Sequence, residues 1–174
     1  NESWLLSDNS KTLHDHLESY HFREVVVFEM LNLDLLALQG PKSILVLEKI
    51  FSSLPEKPND IKRNDFEGVP LTVIKKSFTG EEGFIICLPY QLKENFIQKL
   101  VNAETQPTKI GEQAREILRI EAGIPVFGKD MDGKNILPET GLEHSSVSYN
   151  KGCYIGQEVI ARIKTYGAPN FALM

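Results

Sequence analysis

Thr79-Gly80-Glu81-Glu82-Gly83-Phe84-Ile85-Ile86-Cys87-Leu88-Pro89 reads as a polar, glycine-framed turn followed by an apolar strand. Upstream, Val69, Leu71 and Val73 alternate with other residues, the period of a strand with one buried face. Two such runs joined by a glycine-bearing turn predict a β-hairpin, and a hairpin fixes antiparallel pairing. Leu35–Leu38 supplies another strand, and Val25-Val26-Val27-Phe28, within Glu24–Met30, reads as a buried one. Trp4–Leu6 is a short apolar run of strand character.

Helices fill the intervals. Ser7-Asp8-Asn9-Ser10 offers N-caps for a helix carrying Leu13, Leu17 and Tyr20. Gly40-Pro41 precedes a helical face of Ile44, Leu47, Phe51 and Leu54. Leu92, Phe96 and Leu100 give a further amphipathic helix. A helix over about 110–122 presents Ile110, Ala114, Ile117 and Leu118, with Gly123 at its C′ position and Pro125 beyond. The expected fold is α+β: antiparallel sheet with helices on one face, ferredoxin-like in style. The connector Pro55–Asp60 divides a first subdomain (1–54) from a second (55–150), and residues 151–174 form a separate closing segment.

The chain has 174 residues, 41% of them hydrophobic, enough for one core or two small ones. No apolar run reaches bilayer-spanning length, and the first residues lack the basic and hydrophobic regions of a secretory signal. The absence of a starting methionine suggests a fragment of a longer chain. With net charge −5 and dispersed lysines and arginines, no basic stripe exists for non-specific nucleic-acid binding, though a local anion pocket remains open. Cys87 and Cys153 are far apart, which suits a reducing, cytoplasmic setting. Neither has a neighbour at metal-ligand spacing, and His14 and His16 diverge on a helix, so no metal site is expected. Asp130 and Asp132 fail the calcium-loop pattern and read as a turn.

Three features could carry chemistry. Arg115 and Arg119 share a helical stripe, either as a solvated face with Glu112 or as holders of a carboxylate or phosphate. Glu81 lies at the hairpin tip, as a soluble turn residue or as a site carboxylate. Cys153 sits between Gly152 and Gly156, two residues after Lys151, ahead of a helix starting near Gly156. A cation and a helix N-terminus both favour thiolate, so Cys153 is either a reactive thiol or a loop cysteine tucked against Tyr154. Cys87, inside an apolar strand, is a core residue.

The closing run Lys151-Gly152-Cys153-Tyr154-Ile155-Gly156-Gln157-Glu158 resembles the signature of YgfZ-type proteins, folate-binding relatives of the glycine-cleavage T-protein. LALQGPKS, TGEEGFIICLP and AREILRIEAGIPVFGKDMDGKNILPETGL resemble T-protein segments in the same order. The resemblance implies a T-protein folate-binding fold, here truncated at both ends: the segment with the T-protein catalytic aspartate and the C-terminal β-barrel are absent. It implies tetrahydrofolate or a derivative as cofactor, in a central channel that this chain walls only in part. Arg115 matches the T-protein arginine that helps hold the ligand, while Arg119, Glu121 and Gly123 match the same block. The T-protein glutamate associated with folate recognition falls on Ile85, which cannot pair with pterin N–H groups.

The implied function is a folate-binding accessory factor in iron–sulfur cluster assembly or repair. It acts through Cys153, with Lys151, Gly152, Tyr154, Gly156, Gln157 and Glu158 shaping the thiol's surroundings. Its implied partners are folate and iron–sulfur enzymes or cluster-assembly proteins, in the cytoplasm or a mitochondrial matrix. One cysteine cannot hold a stable cluster, so any contact is transient and shared with a partner. The alternatives are a tetrahydrofolate-dependent aminomethyl or one-carbon transferase, a thiol redox protein acting through mixed disulfides, and an α+β interaction module.

Overall fold

The computed structural model describes residues 3–7, 9–23 and 25–167. Its centre is a four-stranded sheet of β1 (Asp34–Gln39), β2 (Ile61–Phe66), β3 (Val69–Lys75) and β4 (Gly83–Leu88), ordered β1-β4-β3-β2. All three neighbouring pairs are antiparallel. The expected hairpin is β3–β4, in a register that sets Val73 opposite Ile86. Strand β1 comes from the first expected subdomain and pairs with β4 of the second, so one sheet joins the two segments.

Alternation sorts the side chains between two faces. Leu38, Leu71, Val73, Phe84, Ile86 and Leu88 face a core shared with α2 (Ser43–Glu48) and α3 (Lys93–Val101). Phe96 of α3 is fully buried, stacked on Phe51 at 5.9 Å and edge-on to Phe66 at 5.0 Å. On the opposite face Ile74, Ile85 and Cys87 pack with Trp4, Leu33 and Phe78, which belong to irregular segments. The helices of the core therefore cover one side of an antiparallel α+β sheet.

The step from β1 to α2 is tied to the hairpin through one side chain. Gln39 at the end of β1 receives the Phe78 N–H on Oε1 at 2.8 Å and donates from Nε2 to the Lys76 carbonyl at 3.1 Å. Its amide lies over Gly83, where a Cβ would come within 2.3–2.6 Å of the Gln39 amide atoms. Alongside, the Gly40 N–H and the Ser43 hydroxyl both donate to the Glu82 carbonyl, at 2.7 and 3.2 Å. At the tip, a Cβ on Gly80 would meet Ala122 Cβ at 2.9 Å, so the turn rests against the end of α4 (Glu112–Glu121).

Helix α1 (Ser10–Tyr20) is capped by Asn9, whose Oδ1 accepts from the Thr12 N–H; Asp8, another expected cap, lies outside the described residues. Four expectations are corrected. Residues 25–30 form no strand: Val25 and Val27 are almost wholly exposed and unpaired, because β-propensity counts only where a partner strand is present. Glu24 itself lies outside the described residues. Trp4–Leu6 is likewise irregular, with Trp4 held by the sheet face rather than by pairing. Helix α2 ends at Glu48, and Phe51 enters the core from the turn beyond it. The helix expected from about residue 110 starts only at Glu112, so Ile110 lies before it, and Ile117 and Leu118 of its apolar stripe are exposed. Strand β2 has no counterpart in the sequence expectation: Lys62-Arg63-Asn64-Asp65 suits a charged edge strand and lacks apolar alternation.

Gly83→Ala should lower stability by about 1–3 kcal/mol, the cost of dislodging hydrogen-bonded groups at a half-buried site. Urea denaturation of Gly83→Ala, Gln39→Ala and the double variant checks the cause. The two losses should add to clearly more than the loss in the double variant; simple additivity would separate Gly83 from the Gln39 amide.

Candidate functional site

Helix α4 starts from Gly111 and ends in a Schellman arrangement: Gly123 N–H donates to Ile120 O and Ile124 N–H to Arg119 O, both at 2.9 Å. That ending turns the chain back along the helix toward residues 126–131. The one buried residue of α4 is Arg119, 7% exposed. Its guanidinium donates to Glu116 one turn earlier, to Asp130, and to the Ile124 carbonyl at 3.2 Å. Asp130 also accepts from the Val126 N–H at 2.8 Å, which closes the turn around it. The Val126 N–H and then the arginine hold the Asp130 carboxyl below its usual range. Hydrogen bonds from Arg119 and then Lys129 bring Glu116 down to about 2. The Glu116 hydrogen bond leads the causes that push Arg119 further up.

Arg115, one turn before Arg119, is exposed and, among the described residues, is bound by Glu112 alone. It donates from Nε and Nη2 to the two carboxylate oxygens of Glu112, at 3.0 and 2.5 Å. That bidentate pair lowers the Glu112 carboxyl from its usual range. Lys129 reaches both acids of the helix, Glu116 at 3.0 Å and Glu112 at 3.7 Å. Cations and carboxylates thus alternate from Arg115 through Glu112, Lys129 and Glu116 to Arg119 and Asp130. Glu81 is exposed at the hairpin tip, while the neighbouring Glu82 pairs with Lys75 at 2.9 Å. Ile85 is 3% exposed, in a cluster with Ile74, Cys87, Trp4, Leu33 and Phe78.

The cysteine segment lies elsewhere. Cys153 is a free, exposed thiol in the loop between α5 (Glu143–Ser146) and α6 (Gln157–Tyr166); Cys87 is buried, and burial pushes its thiol up to about 11. Gly156 has φ +86° and caps α6, which opens with Gln157 and Glu158; Gly152 is exposed. Glu158 pairs with Arg162 at 2.9 Å. Lys151 places its ammonium 4.7 Å from the centre of the Tyr154 ring, so its charge is engaged by that ring. A second clamp holds the loop: Tyr149 donates to Glu143 at 2.5 Å, and Lys164 of α6 lies 3.6 Å from the Tyr149 ring centre and 3.6 Å from Glu143. That hydrogen bond raises the Tyr149 hydroxyl to about 12. Among the described residues, no hydrogen bond or ion pair joins Arg115 or Arg119 to residues 151–158.

The structure therefore gathers most of the predicted residues into two groups, one on α4 and one around Cys153, and leaves Glu81 apart at the hairpin tip. It adds Glu116, Lys129 and Asp130 to the first and Glu143, Tyr149 and Lys164 to the second. Glu116 was signalled by its i,i+3 spacing from Arg119. Asp130 was not, since its partner lies eleven residues away across a turn. Among the described residues, no cluster of potential metal ligands forms, and no helix is long and apolar enough to cross a membrane.

Residues 3–151 match the family model of the GCVT N-terminal domain. An aminomethyltransferase of Chlorobium phaeovibrioides is 32% identical over 81% of this chain and 40% of its own length. One of Bacillus cytotoxicus is 31% identical over 97% of this chain and 48% of its own. The crystal structure of glycine cleavage system aminomethyltransferase T from Bartonella henselae superposes with a TM-score of 0.68 at 25% identity, covering 92% of this chain and 44% of that one. The chain thus spans less than half the length of these relatives.

Acid should report on the Arg119 network. Glu116 ionises at about 2 when folded against an ordinary 4.5, so its contribution is complete above about 4.5 and is lost as pH falls through about 2. The stability difference between the protein and Glu116→Gln, followed by denaturant titration, should be flat above pH 4.5 and shrink below it. A gap that stays constant on acidification would remove the carboxylate charge from the account.

Proposed function

Because the chain belongs to the GCVT N-terminal domain family, we propose that it is part of a tetrahydrofolate-dependent aminomethyl or one-carbon transferase, in which Arg115 anchors the acidic tail of the folate. The family match over residues 3–151 carries this reading, since those residues hold the whole sheet and α4. The relatives named aminomethyltransferases and the superposed aminomethyltransferase T support the same chemistry.

The residues present fit one end of such a ligand. Arg115 offers an exposed planar guanidinium already engaged with a carboxylate in bidentate geometry, which a folate tail carboxylate can reproduce. The other end meets an isoleucine at position 85, in an apolar cluster with Ile74, Cys87, Trp4, Leu33 and Phe78. Pterin recognition therefore falls to other residues, and no transfer step is assigned to this chain. Arg119, locked by Glu116 and Asp130, supports the backbone that carries Arg115, while Glu81 stands free at the hairpin tip as an accessory carboxylate.

A second reading, a folate-binding accessory factor for iron–sulfur cluster assembly or repair, is favoured by one observation. The exposed Cys153 lies in a loop fastened by two lysine–tyrosine contacts, in a run that resembles the YgfZ-type signature. That thiol lies just past the matched residues 3–151. Partners on this reading are iron–sulfur enzymes or their assembly proteins.

Calorimetry of tetrahydrofolate binding to the full-length protein tests the first reading. Arg115→Ala should weaken affinity by roughly 1.5–3 kcal/mol, the value of a charge-assisted hydrogen bond; unchanged affinity would take Arg115 out of the site. Complementation of a strain lacking the protein, scored on an iron–sulfur enzyme, tests the second. Cys153→Ala should fold yet fail to restore activity, and full rescue would leave the thiol without a role.

A further inference from the structure

The two edges of the sheet differ in kind. Strand β2 carries Lys62, Arg63 and Asp65, charges of the sort that discourage further pairing. Strand β1 carries only Asp34, which Lys93 neutralises at 3.3 Å, and it exposes Leu35 and Ala37. The Gly40 N–H bonds to the Glu82 carbonyl on the β4 side. Antiparallel bonding alternates along a strand, so Leu35, Ala37 and Gln39 aim their N–H and C=O groups away from β4. Upstream lies the complementary feature. Val25, Val26 and Val27 are exposed, and among the described residues no backbone hydrogen bond reaches residues 25–33. The Phe28 ring stands edge-on to His14 and His21, at 6.3 and 5.7 Å, which ties this segment to α1 while Val25 and Val27 project outward. One element is an edge without a strand, the other a strand-forming run without an edge, and the two match in length.

We infer that this side of the protein is a twofold interface with a second copy of the chain, in which residues 25–30 of each copy add as a fifth strand to β1 of the other. The antiparallel register sets Leu35, Ala37 and Gln39 opposite Glu29, Val27 and Val25 of the second copy, so no like charges meet. Each outward N–H and C=O of β1 gains a partner, and Val25 and Val27 join Leu35 and Ala37 on one face. The symmetry makes the contact reciprocal: the two orphan segments and the two open edges are satisfied together. Within one copy the same pairing would need a hairpin turning at Leu31-Asn32-Leu33, which has no glycine. Leu33 is instead packed on the sheet face with Ile74, Ile85 and Cys87, Phe28 is held at α1, and β1 pairs with β4 alone.

Sedimentation velocity of the full-length protein over a range of concentrations tests the pairing. The protein should run as a dimer that dissociates on dilution. Val27→Asp should raise the dimer dissociation constant by roughly tenfold, because the twofold repeats the lost cross-strand pair. Ile120→Asp places the same charge on another exposed isoleucine, on α4, and should leave the dimer unchanged. Ala37→Lys added to Val27→Asp sets opposite charges directly across the new strand pair and should restore most of the lost affinity. A protein that stays monomeric at every concentration overturns the inference and leaves this edge to another part of the full-length chain or to a different partner. Equal weakening by Ile120→Asp, or no recovery in the double variant, overturns it as well. Thermal melts separate loss of association from loss of folding: each variant should melt as a cooperative unit.

Discussion

The amide of Gln39 lying flat across Gly83 is the contact on which the architecture depends. Antiparallel pairing alone would set β1 beside β4, but it would not fix where the chain leaves the sheet. Gln39 does so by bonding to backbone on both sides of the bend that follows β3, at Lys76 and Phe78. Only a residue without a side chain allows that amide to sit so close to β4. The Gly40 N–H and Ser43 hydroxyl then meet at the Glu82 carbonyl, which starts α2 at a defined height over the sheet. The hairpin tip so placed rests on Ala122, and α4 inherits its position from it.

Beyond that contact, α4 is held by charge. Its buried residue is an arginine, and its apolar side chains Ile117 and Ile120 face solvent. A buried guanidinium is tolerable only when its N–H groups are paired, and Glu116, Asp130 and the Ile124 carbonyl pair most of them. Directional partners of that kind fix helix rotation more tightly than a greasy stripe would. They consequently fix Arg115, one turn away, on the open side. The support of the helix and the placement of the candidate anion anchor are the same set of bonds.

Much of this was legible from sequence, and the failures share a cause. The hairpin was readable because its turn chemistry and its alternation agree. The Asn9 cap and the Gly123 ending were readable because they are local. Val25–Phe28 misled because β-branched residues report willingness to pair, not the presence of a partner. Strand β2 was hidden because an edge strand needs hydrogen bonds more than apolar residues. Periodicity located the stripe on α4 but not what covers it, and Asp130 was invisible because its value depends on a Schellman turn that brings it back to Arg119. For the site, the pairing of Arg115 with Glu112 was legible because it is local, at i,i+3 on one helix face, while the Arg119–Asp130 contact was not.

Ile85 sharpens the functional argument. It sits in β4 opposite Ala37 and Ile74, on the face where Trp4, Leu33 and Phe78 close over the strand. An ionised glutamate there would need a partner, and the cluster around it is apolar apart from the Trp4 indole N–H and the Cys87 thiol. The isoleucine is therefore consistent with its surroundings, not an isolated change in an otherwise polar pocket. The candidate anion anchor, Arg115, stands instead on α4. A domain with an anion anchor and an apolar sheet face can hold a ligand by its tail while leaving recognition of the ring to residues outside β4.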